Sequence, residues 1–192
     1  PLYVRIPLLA KLRLNDTIKV EEKVVKAVTS KFRLKKGWIF IDVGAYLGFY
    51  SLLASKQVGK YGLVIAIEPH PENFKMLCFN IRKHSNIIPV NVACYSEDTE
   101  LDLFLNYHPM MHSLVRHSNA RIRVRTIKID TLVRNLRLRR VDAIKIDVEG
   151  AELEVLKGME RTLKELKWIL IEIHNENLVE KIIKLLKKES FT

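Results

Sequence analysis

"WIFIDVGAYLGFYSLLASKQVGKYGLVIAIEPHPENFKMLCFNI", residues 38 to 81, is the stretch that decides the fold. "WIFIDVG" is a short apolar run ending in glycine, which reads as a buried strand. In "AYLGFYSLLASKQV" the spacing of Leu47, Tyr50, Ser51 and Ala54 fits a helix packed back on that strand. After the breaker "GKYG", the run "LVIAIEP" repeats the strand pattern and stops at Glu68 and Pro69. Pro71 and Glu72 then open a second helix through "PENFKMLCFNIRKH", where proline suits the first turn and an acid suits its positive end.

The alternation continues to both sides. "NIIPVNVACYS" reads as a third strand, with Pro89 marking its start or a sheet edge, because proline cannot donate to a ladder. "TELDLFLNY" and "RIRVRTIKID" alternate with a period of two and predict an antiparallel ribbon joined by the irregular "HPMMHSLVRHSNA". "TLVRNLRL" is a short helix, "VDAIKIDV" a fourth core strand, "AELEVLKGMERTL" a helix, "KWILIEIH" a fifth core strand and "ENLVEKIIKLLKK" a closing helix. Upstream, "LYVRIPLLAKLRLN" suggests a strand or an edge cover. From Asp16 a helix is expected, with Val20, Val24, Val25 and Val28 as its apolar stripe. The expectation is an α/β fold, a mainly parallel sheet with helices on both faces and an extra antiparallel ribbon. It forms one domain over residues 1–192, with 1–35 a strand and helix cover and 100–130 a ribbon and loop insertion near the cleft.

Length and composition agree with one core: 192 residues, 48% of them apolar. The net charge of +11 is concentrated in the first two thirds, so attraction to a polyanion is open on charge alone. Charge interrupts every apolar run well before the length of a membrane span, and no secretory pattern opens the chain, so a cytoplasmic protein is expected. Cys78 and Cys94 have no partners at metal-ligand spacing and read as reduced thiols, Cys78 buried on a helix.

Gly44 and Gly48 make a G-x-x-x-G turn between strand and helix, where a missing Cβ admits unusual backbone angles or a close ligand. A turn that binds nothing would look the same. Glu68 adds a second signal, an acid at the end of the next strand, about 20 residues on, placed to hold both hydroxyls of a ribose. NAD would meet that demand too, but the full G-x-G-x-x-G pattern is missing and Asp42 stands where a pyrophosphate would lie. A P-loop fits less well still, since no Lys and Ser or Thr pair follows the turn. The cationic sulfonium and ammonium of S-adenosylmethionine suit an acid near Asp42 better.

These motifs, with "TIKIDTL", "VDAIKIDVEGAELEVLKG" and "ILIEIH", resemble the FkbM-type methyltransferases over roughly residues 16 to 175. The resemblance implies a Rossmann-like class I methyltransferase fold, S-adenosylmethionine as donor, and a hydroxyl acceptor on a sugar, glycan or other small metabolite. It implies that Asp42, Gly44, Ala45 and Gly48 cradle the methionyl end, that Glu68 holds the ribose, and that Pro69 and His70 shape the adenosine wall. The segment from Val92 to Ser96, including Ala93, would lie beside the adenine. Asp147, Glu149 and Gly150 would border the methyl-transfer cleft. Two departures stand out: Tyr46 replaces a small polar residue, and no antiparallel pair at the end of the chain completes the seven-stranded class I sheet, a place the ribbon could fill.

A hydroxyl acceptor must lose or share its proton, and Asp147, Glu149 and His174, at the ends of neighbouring core strands, are the groups expected to serve. Asp147 and Glu149 would orient donor and acceptor, and His174 would accept the proton or position the group that does. Glu152 reads as a first-turn helix acid. Asp147, Glu149, Glu172 and His174 offer oxygen-rich divalent ligands, yet periodicity leaves Glu172 and His174 on a face that need not meet the two acids, so no metal ligand is assigned. In the irregular connection, His112, Ser113 and Arg116 are candidates for acceptor choice, together with Arg123 and Arg125 of the ribbon. Arg121, Arg123 and Arg125 alternate with Ile122 and Val124 inside a strongly basic segment. This supports a rival reading as an RNA methyltransferase, and a third as a non-catalytic nucleic-acid or partner-binding module. The oligomeric state stays open.

Overall fold

The computed structural model describes residues 2–5, 33–105, 112–115 and 119–189. The helix expected from Asp16 lies outside the described residues. In chain order the elements begin with β1 (Leu2–Arg5), β2 (Ile39–Val43), α1 (Phe49–Val58), β3 (Leu63–Ile67), α2 (Pro71–Ile81), β4 (Ile87–Val90) and β5 (Ala93–Cys94). They continue with β6 (Glu100–Phe104), β7 (Arg121–Ile127), α3 (Ile129–Asn135), β8 (Ala143–Ile146), α4 (Glu152–Lys157), α5 (Glu160–Glu165) and β9 (Trp168–Glu172). A 3₁₀ turn at Glu176–Leu178 leads into α6 (Val179–Lys188). Among the described residues no helix is long and apolar enough to cross a membrane.

Six strands form one sheet in the order β1-β9-β8-β2-β3-β4, with each neighbouring pair parallel. The chain leaves β2 outward through β3 and β4, then returns to the other side of β2 for β8 and β9. This reversal opens a crevice beyond the C-terminal ends of β2 and β8, the place where open α/β sheets bind ligands.

Alternation within the strands gives each face its own core. Phe40, Val64, Ala66, Ala143, Trp168 and Leu170 pack with Ala54 and Val58 of α1 and Leu77 and Ile81 of α2. Ile41, Ile65, Ile144, Ile146, Ile169 and Ile171 face the other way, toward Ile129 and Leu132 of α3, Leu156, Leu163, Ile182 and Leu186. Each such fully buried side chain contributes about 1.5 to 3 kcal/mol.

The structure corrects four sequence expectations. "NIIPVNVACYS" is two strands: Asn91, between β4 and β5, donates from Nδ2 to the carbonyls of Glu68 at 2.8 Å and Pro69 at 3.1 Å as the chain leaves the large sheet. Pro89 does lie in an edge strand, β4. The ribbon is antiparallel as expected, Leu101 opposite Val124, but it does not complete the large sheet. It joins β5 in a separate sheet of order β5-β7-β6, while β1 takes the place beside β9. "AELEVLKGMERTL" is two helices broken at Gly158, where a Cβ would lie 2.2 Å from the Tyr95 carbonyl oxygen. Asp130 caps the second of them by accepting from the amides of Arg161 at 3.0 Å and Thr162 at 2.9 Å. Finally, Cys78 is half-buried and Cys94 is the buried thiol, its pKa pushed up by that burial.

Candidate active site

The turn after β2 rises into left-handed backbone at Gly44 (φ 77°), Tyr46 (φ 50°) and Gly48 (φ 90°). The amides of Gly44 and Ala45 both donate to the Ile67 carbonyl, at 3.1 and 2.9 Å, which binds the turn to the end of β3. A Cβ on Gly44 would lie 1.8 Å from the Asp147 carbonyl oxygen, and one on Gly48 would lie 2.7 Å from Leu77 Cδ1. The space left by the missing side chains is therefore taken by protein. Glycine is required here so that the end of β8 and helix α2 can close on the turn, where the sequence suggested clearance for a ligand.

Asp42 sits beneath this turn with no solvent exposure. Ser51 Oγ donates to its Oδ2 at 2.7 Å. Lys145 Nζ is 3.4 Å from its Oδ1, a charge contact without hydrogen-bond alignment. The same ammonium lies 3.3 Å from Asp147 Oδ2, donates to the Gly44 carbonyl at 3.2 Å and stands 4.8 Å from the Tyr50 ring centre. Burial raises the Asp42 pKa, with Lys145 and Ser51 opposing. For Lys145, burial disfavours the charge, but Asp147 and Asp42 outweigh it and the pKa is raised. Asp42 thus holds the turn and does not line it. Lys145 escaped the sequence reading, although a lysine inside the buried run "AIKI" was the signal.

Glu68 is 6% exposed, at the end of β3. Its Oε2 accepts from the Tyr46 amide at 3.0 Å, and its Oε1 from the His70 amide at 3.0 Å and Asn73 Nδ2 at 3.4 Å. Burial raises its pKa against those bonds. His70 caps α2 by accepting from the Asn73 amide, and its ring lies 4.5 Å, centre to centre, from that of His112. Burial lowers both histidine pKa values. His112, between the ribbon strands, therefore lies at the Glu68 end of the crevice. Pro69 is half-buried beside it, whereas Ala93 is packed under the ribbon with Leu103 and Val124.

On the other side of the crevice, β8 and β9 deliver the acids and the histidine to one point, against the expectation from strand periodicity. His174 Nε2 is 3.1 Å from Glu149 Oε1 and 3.6 Å from Asp147 Oδ1. Its Nδ1 is 2.9 Å from Oε1 of Glu152, which has no solvent exposure. Burial works against charge on the ring, but the hydrogen bonds to Glu149 and Glu152 and the charges of Glu149 and Asp147 prevail and raise its pKa to about 10. The ring therefore carries its proton at neutral pH. Glu149 itself is left-handed (φ 53°), and Gly150 follows at φ 108°. Two bonds hold this turn: Ser113 Oγ donates to the Glu149 carbonyl at 2.7 Å, and the Gly150 amide donates to Glu152 Oε1 at 2.8 Å. Glu172 is not part of the cluster formed by Asp147, Glu149 and His174.

The specificity residues are divided. Ser113 is 1% exposed and braces Glu149 through its carbonyl. Arg116 lies outside the described residues. Arg123 and Arg125 are exposed on the ribbon; Arg123 is 3.5 Å from Asp102 and 3.7 Å from Glu100, and Arg121 is 3.5 Å from Asp102. Acids on β6 thus answer part of the arginine row. A cleft of about 500 Å³ runs past His174 and Gly150, walled by Tyr95, Val115, Leu153 and Leu178 and edged by Asn175 and Glu176.

A parallel sheet with its glycine turn at the switch point, an acid ending the next strand and an acidic cleft across from it define the class I methyltransferase fold. The fold is shared with the fibrillarin of Aeropyrum pernix in complex with S-adenosyl-L-methionine (TM-score 0.57, 16% identity, 88% of this chain and 65% of that one). It is shared equally with a methyltransferase FkbM from Methylobacillus flagellatus KT (TM-score 0.58, 22% identity, 82% of this chain and 39% of that one). The Methyltransferase FkbM domain matches residues 42–192, and the chain belongs to this family of S-adenosylmethionine-dependent methyltransferases. Among curated proteins it is similar to the hexuronic acid methyltransferase AglP of Haloferax volcanii, 29% identical over 134 residues, 69% of this chain and 54% of that protein. It is also similar to methyltransferase sdnD of Sordaria araneosa, 27% identical over 155 residues, 62% of this chain and 60% of that protein. The chain spans little more than half the length of these relatives.

The residues present fit the donor. Glu68 is a carboxylate held on both oxygens by backbone amides, as a ribose acceptor must be. Asp147, its side chain 28% exposed, brings negative charge to the switch point, where a sulfonium and an ammonium would be stabilised.

Proposed function

We propose that the protein methylates a hydroxyl group of a sugar, glycan or other small metabolite, using S-adenosylmethionine. The carrying observation is the cleft of about 500 Å³ lined by His174, whose ring in turn lies 3.1 Å from the Glu149 carboxylate and 3.6 Å from that of Asp147. That volume is at the size of small-molecule sites, roughly 300 to 1,000 Å³. The name of one relative, a hexuronic acid methyltransferase, supports a sugar-like acceptor.

Glu68 and the turn from Gly44 to Gly48 would hold the donor, which when bound supplies an electrophilic methyl group on a sulfonium. Asp42, Ser51 and Lys145 keep that turn rigid from below. Glu149 and Asp147 orient the acceptor hydroxyl. His174 already carries a proton at neutral pH, so of its two expected roles the positioning of Glu149 is the one the geometry supports. Positioning supplies much of the rate in such a transfer, because a bound, aligned pair needs no further encounter.

The test is transfer of tritiated methyl from the donor to total RNA, a polar metabolite extract and glycans, with an Asp42→Asn/Glu68→Gln double variant as blank. Label is expected in the glycan or metabolite fractions. RNA labelling that disappears in the double variant would overturn this reading in favour of the arginine-rich ribbon as an RNA surface.

A further inference from the structure

We propose that Asp147 Oδ1, Glu149 Oε1 and His174 Nε2 form a binding site for one first-row divalent cation, with coordination positions left open toward the cleft. These groups are the ones that come together as possible metal ligands among the described residues, with their atoms all within 4.8 Å of one another. Nε2 lies 3.1 Å from the Glu149 oxygen and 3.6 Å from the Asp147 oxygen. Around an ion bound at about 2.0 to 2.2 Å, neighbouring ligands sit roughly 2.9 to 3.6 Å apart. Both spacings from Nε2 fall in that range.

An independent observation comes from the far side of the ring. Glu152, fully buried, holds Nδ1 at 2.9 Å and is itself held by the Gly150 amide at 2.8 Å. A buried carboxylate behind a histidine fixes the ring and directs its other nitrogen at the ion, a recurrent outer support of metal sites. Glu152 also keeps Oε2 buried with no hydrogen-bond partner, and a cation on the ring would replace the proton whose charge now faces this carboxylate. On the open side, His174 and Gly150 line the cleft. Three protein ligands leave room in the coordination sphere for a further one, as catalytic sites do, whereas structural sites are closed.

The ligand chemistry narrows the ion. Two carboxylates and one imidazole suit Mn²⁺, Fe²⁺ or Zn²⁺ better than Mg²⁺ or Ca²⁺, which favour oxygen alone. A hydroxyl bound at an open position would have its O–H bond weakened by the cation. The bond breaks heterolytically, the electron pair stays on the metal-bound oxygen and the proton leaves to water in the cleft. This use of the ion rests on the methyl-transfer reading above, whereas cation binding itself does not.

Binding of Mn²⁺ is to be measured by the loss of the free-ion electron paramagnetic resonance signal, on tag-free, chelator-stripped protein without donor. One ion per chain is expected, displaced by Zn²⁺. Glu149→Gln, which preserves shape, and His174→Ala should each weaken binding at least about tenfold, and Glu152→Gln by about 10- to 100-fold through loss of ring support. Arg123→Ala should leave binding unchanged, and each variant is checked for wild-type circular dichroism. Absence of binding at millimolar Mn²⁺ or Zn²⁺, or binding untouched by both Glu149→Gln and His174→Ala, would overturn the site. Specific binding without transfer to any hydroxyl acceptor would uphold the site and sink the acceptor reading. Hydroxyl methylation without binding would do the reverse.

Discussion

Glu152 Oε1 lies 2.9 Å from His174 Nδ1 and 2.8 Å from the Gly150 amide, with the whole Glu152 side chain shielded from water. One oxygen therefore ties the start of α4, the left-handed turn at Glu149 and Gly150, and the second residue after β9 into one unit. Glu152→Ala removes the bonds that Glu152 makes to the Gly150 amide and to Nδ1, at about 1 to 3 kcal/mol for each buried group. Urea unfolding should show a loss of at least about 2 kcal/mol. Where the fold survives, kcat should fall while the KM for the donor holds.

Gly44→Ala should be far more damaging than Gly37→Ala. Both positions have φ near the left-handed region, 77° and 78°, but a Cβ at 44 would lie 1.8 Å from the Asp147 carbonyl oxygen, while at 37 nothing lies within 4 Å. Backbone strain alone costs about 1 kcal/mol or more, and the clash adds to it at 44 only. Chemical denaturation of the two variants side by side gives the comparison; equal losses would contradict the close approach of β8.

Glu68→Gln retains size but gives up the charge that a ribose hydroxyl would meet. Affinity for S-adenosylhomocysteine should drop by the value of one or two charged hydrogen bonds, about 1.5 to 3 kcal/mol each. Isothermal titration calorimetry checks this, with thermal unfolding as control because Glu68 also accepts from Tyr46, His70 and Asn73.

His174 sets a pH dependence in the metal-free protein. Its folded pKa, raised from 6.5 to about 10, exceeds the unfolded value, so the folded state binds the extra proton between the two. The stabilisation is full below about pH 6.5 and is lost as pH rises through 10. Stability measured from pH 6 to pH 10 should decline in the wild type and decline less in His174→Gln. A C–H resonance assigned to His174 and titrating near 6.5 would contradict the cluster.

Much of this was legible in the chain order. Apolar strands alternating with helices gave parallel strands with helices on both faces, and the strand-end positions of Glu68, Asp147, Glu149 and His174 followed from where each apolar run stopped. Breaks were harder to see. Asn91 and Gly158 look like ordinary residues within continuous patterns, and only the Glu68 and Pro69 carbonyls in one case, and the Tyr95 carbonyl in the other, explain why the elements end there.

Periodicity fixes which side of a strand a residue occupies, and hydrophobic burial makes that choice costly to reverse. It was enough to predict parallel strands with helices on both faces, while the quoted motifs, and not periodicity, carried the resemblance to the family. Side-chain partnerships across strands far apart in sequence depend on distances of a few tenths of an ångström that no local pattern encodes. The tertiary structure alone decided that Lys145 would bridge Asp42 and Asp147, that Ser113 would brace Glu149, and that His174 would be enclosed by three carboxylates.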